Sequence, residues 1–418
     1  MKRFLVWGLG RSGTAAVELL KRKGFEVFSG DDSKGDRWED LIEIVDTVVL
    51  SPGIAPTHPL WKEAKRKELE IIGELELADR FFKGRKIAIT GTDGKSTTSR
   101  LIYLMLSSAG FKAFEAGNSG VPLSRRVLEG KDGIAVLEVS SFQGKTLKNF
   151  RPEIGIFINF SPDHLDWHTD IKDYLNSKYN IFKRQKEEDL LFGEFSSMEI
   201  SKTPSVAKRI DISKEVKIEK DFVKYNGDIL FSLKDLKLRG QHNLKNVLLA
   251  SLVAYHTGVS PEKIRSVIRN FKGLPFRLEH LITFKGIKVY NDSKSTTPNA
   301  LKNALESFPN GKVILIAGGK DKGADFSFIK ETVRQKVKFA IFIGETAEKL
   351  KDTFRGDTEV KTEASLEKAV KMAFERAKPG DFILFSPGCS SFDMFPGYRE
   401  RGEAFNRIVK LYKYVRSR

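Results

Sequence analysis

Two glycine loops constrain this chain more than any other feature, because each follows a short apolar run and opens an amphipathic stretch. The first is VWGLGRSG at Val6–Gly13, and the second lies in AITGTDGKSTTSRL at Ala88–Leu101. An apolar run that ends in glycines and then starts a helix is a strand–turn–helix unit. The helix N-terminus leaves backbone N–H groups unsatisfied and carries a positive dipole end, so it can take phosphate. Two such units require at least two parallel α/β layers, each with its own anion grip.

The same alternation runs along the rest of the chain. KRFLVWGLG, FEVFSGDD and DTVVLSPG read as strands, with TAAVELLKRKG and HPLWKEAKRKE as helices between and after them. The pattern restarts at GRKIAIT, continues through the buried strands GIAVLEVSS and EIGIFINFSPDHLD, and reaches the helix DYLNSKYNIFKRQK. Residues 187–240 lose this rhythm and read as short strands and turns, before QHNLKNVLLASLVAYHTG resumes as a helix with a glycine stop. A third start follows, with IKVYNDS, KVILIAGG, FAIFIG and DFILFSPG as strands and PNALKNALESF and SLEKAVKMAFERAK as helices. The 418 residues suffice for three such modules, and the expected boundaries are 1–82, 83–274 and 275–418.

Composition narrows the functional classes. Apolar residues make up 40% and charged residues 30% of the chain, as in a globular protein, and no apolar run is long enough to span a bilayer. The basic-then-apolar start runs into a glycine turn, not a cleavage site, so it reads as a buried first strand. A single cysteine, Cys389, excludes an intrachain disulfide, fits a cytoplasmic location, and reads as a small buried residue. The net charge is +17, yet the first 82 residues hold 13 basic and 15 acidic groups, so the excess lies in the later modules. The lysines are interleaved with acids and no aromatic–basic motif appears. Nucleic acid or a polyanionic small molecule would each suit such a positive field, and solvated surface lysines account for most of the excess either way; the expectation is no nucleic acid and no membrane.

The loops differ in what they specify. GLGRSG has the G-x-G-x-x-G spacing, and Asp31 and Asp32 follow where a ribose-binding acid would sit; alone, this suits an NAD-dependent dehydrogenase. The second loop is shorter than the usual ATP-phosphate loop, since Ile89 stands where that pattern has glycine. Its chemistry still holds: N–H groups of Gly91, Thr92, Asp93, Gly94, Lys95, Ser96 and Thr97 can meet phosphates, Lys95 can neutralise them, and Ser96 or Thr97 can reach magnesium. Glu138 ends a buried strand, either as a magnesium ligand or as a capping or ion-paired acid. His164 follows the next strand beside Asp163 and Asp166. Ligands of open parallel sheets gather beyond the carboxyl ends of strands, so Lys95, Glu138 and His164 are expected on one rim. By composition alone, Lys178 is an ordinary solvated lysine.

Taken in order, GTDGKST, LEVSSFQ, SPDHLD, GQHNLKN, LPFRLE, NDSKSTTPNA, GGKDKGADFS and SPGCSSFDMFPGYRERGEAF resemble the Mur ligases over essentially the whole chain, closest to their D-glutamate-adding branch. The resemblance implies three α/β domains, namely an N-terminal Rossmann-like domain, a central P-loop ATPase-like domain and a C-terminal Rossmann-like domain. It also implies a cytoplasmic ATP-dependent ligase that joins D-glutamate to UDP-N-acetylmuramoyl-L-alanine through an acyl phosphate and a tetrahedral intermediate, in peptidoglycan precursor synthesis. The first loop would then hold a uridine diphosphate sugar and the second ATP. Gly8, Gly10, Arg11, Ser12, Asp32, Ser33, Gly53 and Asn118 would meet the UDP substrate.

By the same resemblance, Ser96 and Glu138 would bind one magnesium ion, and His164 with a carbamylated Lys178 a second. Asn243, Asn246, Arg277 and Asp292 would complete the ATP site. Lys294, Thr296, Lys322, Ser391, Phe392 and Tyr398 would surround the amino acid. Asp93, Lys320 and Tyr398 stand where relatives often carry other residues. The third domain is expected to close over ATP, and the protein is expected to be a monomer. The competing readings are a Mur ligase for another amino acid, a folylpolyglutamate synthase-like ligase that lacks the first module, the dehydrogenase, and a nucleic-acid-binding ATPase.

Overall fold

The computed structural model describes residues 2–118, 120–165, 167–238 and 240–416. Among them the strands form four sheets. The first contains β1 (Arg3–Trp7), β2 (Glu26–Gly30), β3 (Thr47–Leu50) and β4 (Glu70–Gly73), all parallel in the order β2-β1-β3-β4. The second contains β5 (Arg85–Thr90), β6 (Ala113–Gly117), β7 (Ile134–Glu138), β8 (Ile154–Phe157), β9 (Leu190–Gly193) and β10 (Lys208–Asp211). Its order is β10-β9-β8-β5-β7-β6, again all parallel.

A small antiparallel meander follows, made of β11 (Lys217–Glu219), β12 (Phe222–Tyr225) and β13 (Asp228–Ser232). The last sheet has β14 (Glu279–Phe284), β15 (Ile287–Asn291), β16 (Val313–Gly318), β17 (Val337–Ile343), β18 (Glu359–Thr362) and β19 (Phe382–Phe385), ordered β14-β15-β19-β16-β17-β18. Two compact units result: Met1–Leu236 with Lys245–Asn270, and Lys237–Leu244 with Phe271–Arg418.

The interior strands are continuous apolar runs because helices cover both faces of a parallel sheet. Every residue of Ile134–Glu138 and Val313–Gly318 is buried. Both sheets of the first unit reverse winding direction beside their first strand, which opens a crevice there. In the first sheet β2 and β3 flank β1, so Gly8 and Ser51 meet across the crevice. In the second, β7 and β8 flank β5, so the segments that follow Thr90, Glu138 and Phe157 lie side by side.

Residues 187–240 hold short strands and turns, as the sequence suggests, whereas strands β4, β6, β14 and β18 are absent from the sequence reading. Within 187–240, β9 and β10 extend the central sheet before the meander begins. Strand β14 pairs antiparallel with β15 through a tight Lys285-Gly286 turn, where both residues have positive φ (46° and 77°). That backbone suits the right-handed twist of a hairpin. β14 is a half-buried edge strand with a weak apolar pattern, so periodicity alone did not reveal it. Among the described residues, no helix is long and apolar enough to cross a membrane.

The first loop shows how its glycines divide their work. A Cβ on Gly13 would collide with the Gly8 carbonyl oxygen, whereas one on Gly10 would meet nothing within 4 Å. Gly13→Ala should therefore destabilise the first unit by about 1–3 kcal/mol through overpacking, and Gly10→Ala should leave stability unchanged. Urea unfolding of both variants checks this.

Candidate functional site

The GTDGKST segment leaves β5 and opens the helix Lys95–Ser108, with Gly94 as a left-handed N-cap (φ 86°). Gly94 is a geometric necessity, because a side chain there would run into the buried Asn246 amide. Lys95 folds back so that Nζ donates to the carbonyls of Gly91 (3.0 Å) and Thr92 (2.9 Å). The Lys178 Nζ reaches the same Gly91 carbonyl at 2.8 Å. Lys178 is 1% exposed, so it is not the solvated lysine that composition suggests. Burial, helped by the neighbouring Lys95 charge, pushes its pKa well below the usual lysine range.

Glu138, at the end of β7, is 4% exposed. Its Oε2 accepts a hydrogen bond from Ser96 Oγ (2.7 Å) and its Oε1 one from Asn118 Nδ2 (3.0 Å). The Asn118 backbone N–H also donates to the Glu138 carbonyl at 2.8 Å, so this asparagine orients the acid from the adjacent strand end. His164 lies on the segment after β8, at φ 55°, with Nε2 3.5 Å from Asp163 Oδ2 and its ring 4.7 Å from Phe142. Asp166 lies outside the described residues. Lys95, Glu138 and His164 thus follow three neighbouring strands of one sheet.

Sequence reasoning missed two residues of this cluster. Asn159 Oδ1 accepts from the N–H groups of both Thr92 and Asp93, each at 3.0 Å. Those two donors are therefore occupied, which corrects the expectation that every N–H from Gly91 to Thr97 is offered to phosphate. The donors left for an anion are those of Gly91 and of Gly94 to Thr97. The second missed residue is the buried His168. Its Nδ1 lies 3.0 Å from Asp173 Oδ2 and its Nε2 2.9 Å from Ser141 Oγ, while Lys145 pairs with the other Asp173 oxygen. His168 thereby ties the segment after Glu138 to the helix Ile171–Tyr179, which carries Lys178. NFSPDHLDWH contained both residues, but only the fold reveals what they touch.

In the first sheet, Gly8 (φ 87°) donates to the Gly30 carbonyl, and its own carbonyl accepts from Ser51 Oγ at 2.5 Å. Asp31 closes the loop by accepting from Leu9 N–H (2.5 Å) and from the Ser33 N–H and hydroxyl. Asp32 faces Trp7 Nε1 (3.1 Å) and His58. Gly10, Gly53 and Arg11 are exposed and Ser12 is half-buried at the helix start; the Arg11 guanidinium donates to the Gly120 carbonyl at 3.2 Å. A cavity in the first unit is lined by Ser51, Ile54, Trp61, Glu74, Phe142 and Trp167.

In the second unit, Asp292 is buried and accepts from Leu278 N–H (3.0 Å) and Ser386 Oγ (2.8 Å). Lys294 Nζ stands 3.9 Å from the centroid of the Tyr398 ring, a cation–π contact. Burial opposes ionisation of the Tyr398 phenol, but the Arg399 hydrogen bond and the Lys294 and Arg277 charges outweigh it and hold the pKa below its usual range. Ser391 is buried, Thr296 and Arg277 are half-buried, Phe392 is 68% exposed, and Lys322 is exposed on the segment after β16. Lys320 pairs with Glu345 at 2.7 Å. Asn243 lies in the first turn of the helix Gln241–His256, where its N–H donates to the Gly240 carbonyl. Burial pushes the Cys389 thiol up to about 11, which suits a packed residue and not a nucleophile.

A phosphate loop whose lysine, acid and buried second lysine meet at adjacent strand ends belongs to ATP-driven group-transfer chemistry, and comparison with known proteins specifies the class. The Mur ligase middle domain matches residues 89–254, and the Mur ligase glutamate ligase domain matches residues 276–389. The chain belongs to the Mur ligase family. It is 59% identical over 411 residues to the UDP-N-acetylmuramoylalanine–D-glutamate ligase of Aquifex aeolicus, covering 98% of this chain and 99% of that one. It is 49% identical to the enzyme of the same name from Hydrogenobaculum sp., covering 98% and 99%. The UDP-N-acetylmuramate–alanine ligase structure from Thermotoga maritima shares the fold, with TM-score 0.63, 17% identity and coverage of 99% and 100%.

The His168 network carries a pH signature. Burial lowers the His168 pKa below its usual value of 6.5, against the pull of Asp173, so the unfolded chain binds more protons between those two values. Stability should fall as pH drops from 6.5 through the depressed folded value. His168→Asn should flatten that slope and cost about 1–3 kcal/mol at neutral pH, by stranding Asp173 and Ser141. Urea unfolding across this pH range measures both effects.

Proposed function

We propose that this chain is an ATP-dependent ligase that adds D-glutamate to UDP-N-acetylmuramoyl-L-alanine, a step of cytoplasmic peptidoglycan precursor synthesis. The observation that carries the reading is the convergence of Lys95, Glu138 and Lys178 around one phosphate loop, in a chain 59% identical along its full length to a ligase of that name. In this reading the substrate carboxylate attacks the γ-phosphorus of ATP and ADP leaves. The D-glutamate amine then attacks the acyl carbon, and the tetrahedral intermediate expels phosphate to leave an amide. Such chemistry relies on positioning and charge. The N–H groups of Gly94–Thr97 and the Lys95 ammonium, released from its loop carbonyls, hold the phosphates.

The residues present fit one magnesium ion directly. Ser96 Oγ and Glu138 Oε2 are hard oxygen donors 2.7 Å apart, and Asn118 keeps the carboxylate aimed. His164 and Lys178 fit a second ion only if Lys178 is carbamylated, since an ammonium has no lone pair to give and a neutral amine is a poor ligand for a hard cation. The depressed pKa of Lys178 favours the neutral amine, which bonds to CO2 through nitrogen and releases a proton to leave a carbamate. Magnesium, when bound, neutralises charge between phosphate oxygens.

We assign residues 1–82 to the UDP sugar, with the diphosphate at the exposed Gly10 and the helix that follows, and Asp32, Ser33 and Gly53 nearby. Residues 83–274 are assigned to ATP, with Asn246 toward the adenine. Residues 275–418 are assigned to the amino acid, where Lys294 and Lys322 would meet its carboxylates, with Thr296, Ser391, Phe392 and Tyr398 around them. The protein acts as a monomer in this reading.

Phosphate release with ATP, UDP-N-acetylmuramoyl-L-alanine and a panel of D- and L-amino acids tests the assignment, with mass spectrometry of the product. Turnover with D-glutamate alone is expected, and Lys95→Ala and Lys178→Ala should each lower kcat by about a hundredfold or more. Turnover that prefers another amino acid, or full activity without Lys178, would contradict it.

A further inference from the structure

The second unit contains a fully buried cation that the mechanism does not use. Arg401, in the first turn of the helix Tyr398–Arg416, is 1% exposed. All its described hydrogen-bond partners are neutral oxygens. Nε donates to Ser293 Oγ (3.1 Å), Nη2 to the carbonyls of Ser293 and Cys389 (3.0 Å each), and Nη1 to the Ser390 carbonyl (3.0 Å). One guanidinium thus joins two segments far apart in sequence, Asp292–Ser295 and Cys389–Ser391. Two of the three partner residues are adjacent to one assigned to the amino acid, Ser293 to Lys294 and Ser390 to Ser391.

The surrounding contacts tighten the same knot. Ser293 Oγ donates to the Tyr398 carbonyl at 2.9 Å, and Ser293 N–H donates to Asn291 Oδ1 at 3.0 Å. Asn291 Nδ2 in turn donates to the Gly402 carbonyl at 2.9 Å. Gly402 has no side chain because the Phe276 ring occupies that space, and the Phe276 carbonyl accepts from Lys294 N–H at 3.0 Å. Gly319 is constrained likewise, since a Cβ there would strike the Ser390 carbonyl and crowd Arg401 Nη1.

Burying a charge with no carboxylate among its described hydrogen-bond partners is costly, even with the Asp393 charge nearby, so its persistence calls for a reason. We propose that Arg401 is a positioning residue for the amino-acid substrate: it fixes Lys294, Ser391 and Tyr398 in mutual register and places a positive charge, bonded only to neutral oxygens among the described residues, beneath a site that receives a dicarboxylate. A carboxylate partner would hold the same loops but cancel that charge. Four neutral oxygens satisfy the guanidinium geometrically, and the acid whose charge acts on it, Asp393, is not bonded to it.

The inference rests on the assignment of the amino acid to this unit. Steady-state kinetics of the full chain test it, with Arg401→Gln, Arg401→Lys and a core control, Ile341→Val, each run beside a thermal melt. Partial unfolding reduces the active fraction and hence the apparent kcat, but not the KM of the molecules that remain folded. Arg401→Gln should raise the KM for D-glutamate about tenfold or more, while the KM for the UDP substrate stays unchanged. Arg401→Lys, which keeps the charge, should recover part of that loss, and Ile341→Val should move neither KM.

An unchanged KM for D-glutamate in Arg401→Gln, or an equal rise in both KM values, would overturn the proposal. Should Arg401→Gln not fold, the Arg401→Lys KM decides alone: a selective rise supports the proposal and no rise refutes it. If the wild type turns over with a different amino acid, the D-glutamate assignment fails, and the same comparison is made with that amino acid.

Discussion

The Gly91 carbonyl is the point on which the first unit's chemistry depends. It accepts from two lysines at once, Lys95 at 3.0 Å and Lys178 at 2.8 Å. Two ammonium groups on one acceptor repel each other, and the deeply buried one also bears the cost of lost hydration. Both stresses ease if one lysine turns to a polyanion and the other sheds its proton. Gly91 can sit there because it lacks a side chain that would press on Ile158, only 3.1 Å from where a Cβ would lie. Asn159, on the same segment, holds the Thr92 and Asp93 N–H groups and so fixes the direction of that carbonyl.

The second unit solves a related problem in the same way. Arg401 is anchored by carbonyl and hydroxyl oxygens, as Lys95 and Lys178 are anchored by carbonyls. Cations held by neutral oxygens keep their charge available, whereas ion pairs consume it. Elsewhere the chain does pair its charges, for example Arg151 with Asp189 and Lys86 with Asp79. Lys95 and Arg401 lie where the reading places phosphates and a dicarboxylate. Surface lysines account for most of the +17, and Lys95 and Arg401 are the interior cations that the reading uses.

Much of this was legible before any coordinates. The strand–glycine–helix units, the acid ending VLEVSS and the segment after FINFSPDHLD all announce strand ends, and the sheet order then makes them neighbours. GLGRSG alone also suited a dehydrogenase; the second loop and the full-length match decide against it. Less legible were residues whose role depends on a distant partner. Lys178 looks solvated on its helix until the fold buries it, and Asp31 looks interchangeable with Asp32 until the Leu9 N–H selects it. Asn159, His168 and Arg401 carry no local pattern, since what defines them is the backbone or side chain they meet across the fold. The edge strand β14 escaped because a half-exposed strand has little apolar periodicity.

A crystal structure with a non-hydrolysable ATP analogue and magnesium tests the central claim most directly. Terminal phosphate oxygens should lie on the N–H groups of Gly94 to Thr97, with Lys95 Nζ moved from the Gly91 carbonyl onto them and the Thr92 and Asp93 N–H groups still on Asn159. Phosphates bound away from this loop, or Lys95 unmoved with the analogue in place, would contradict the account.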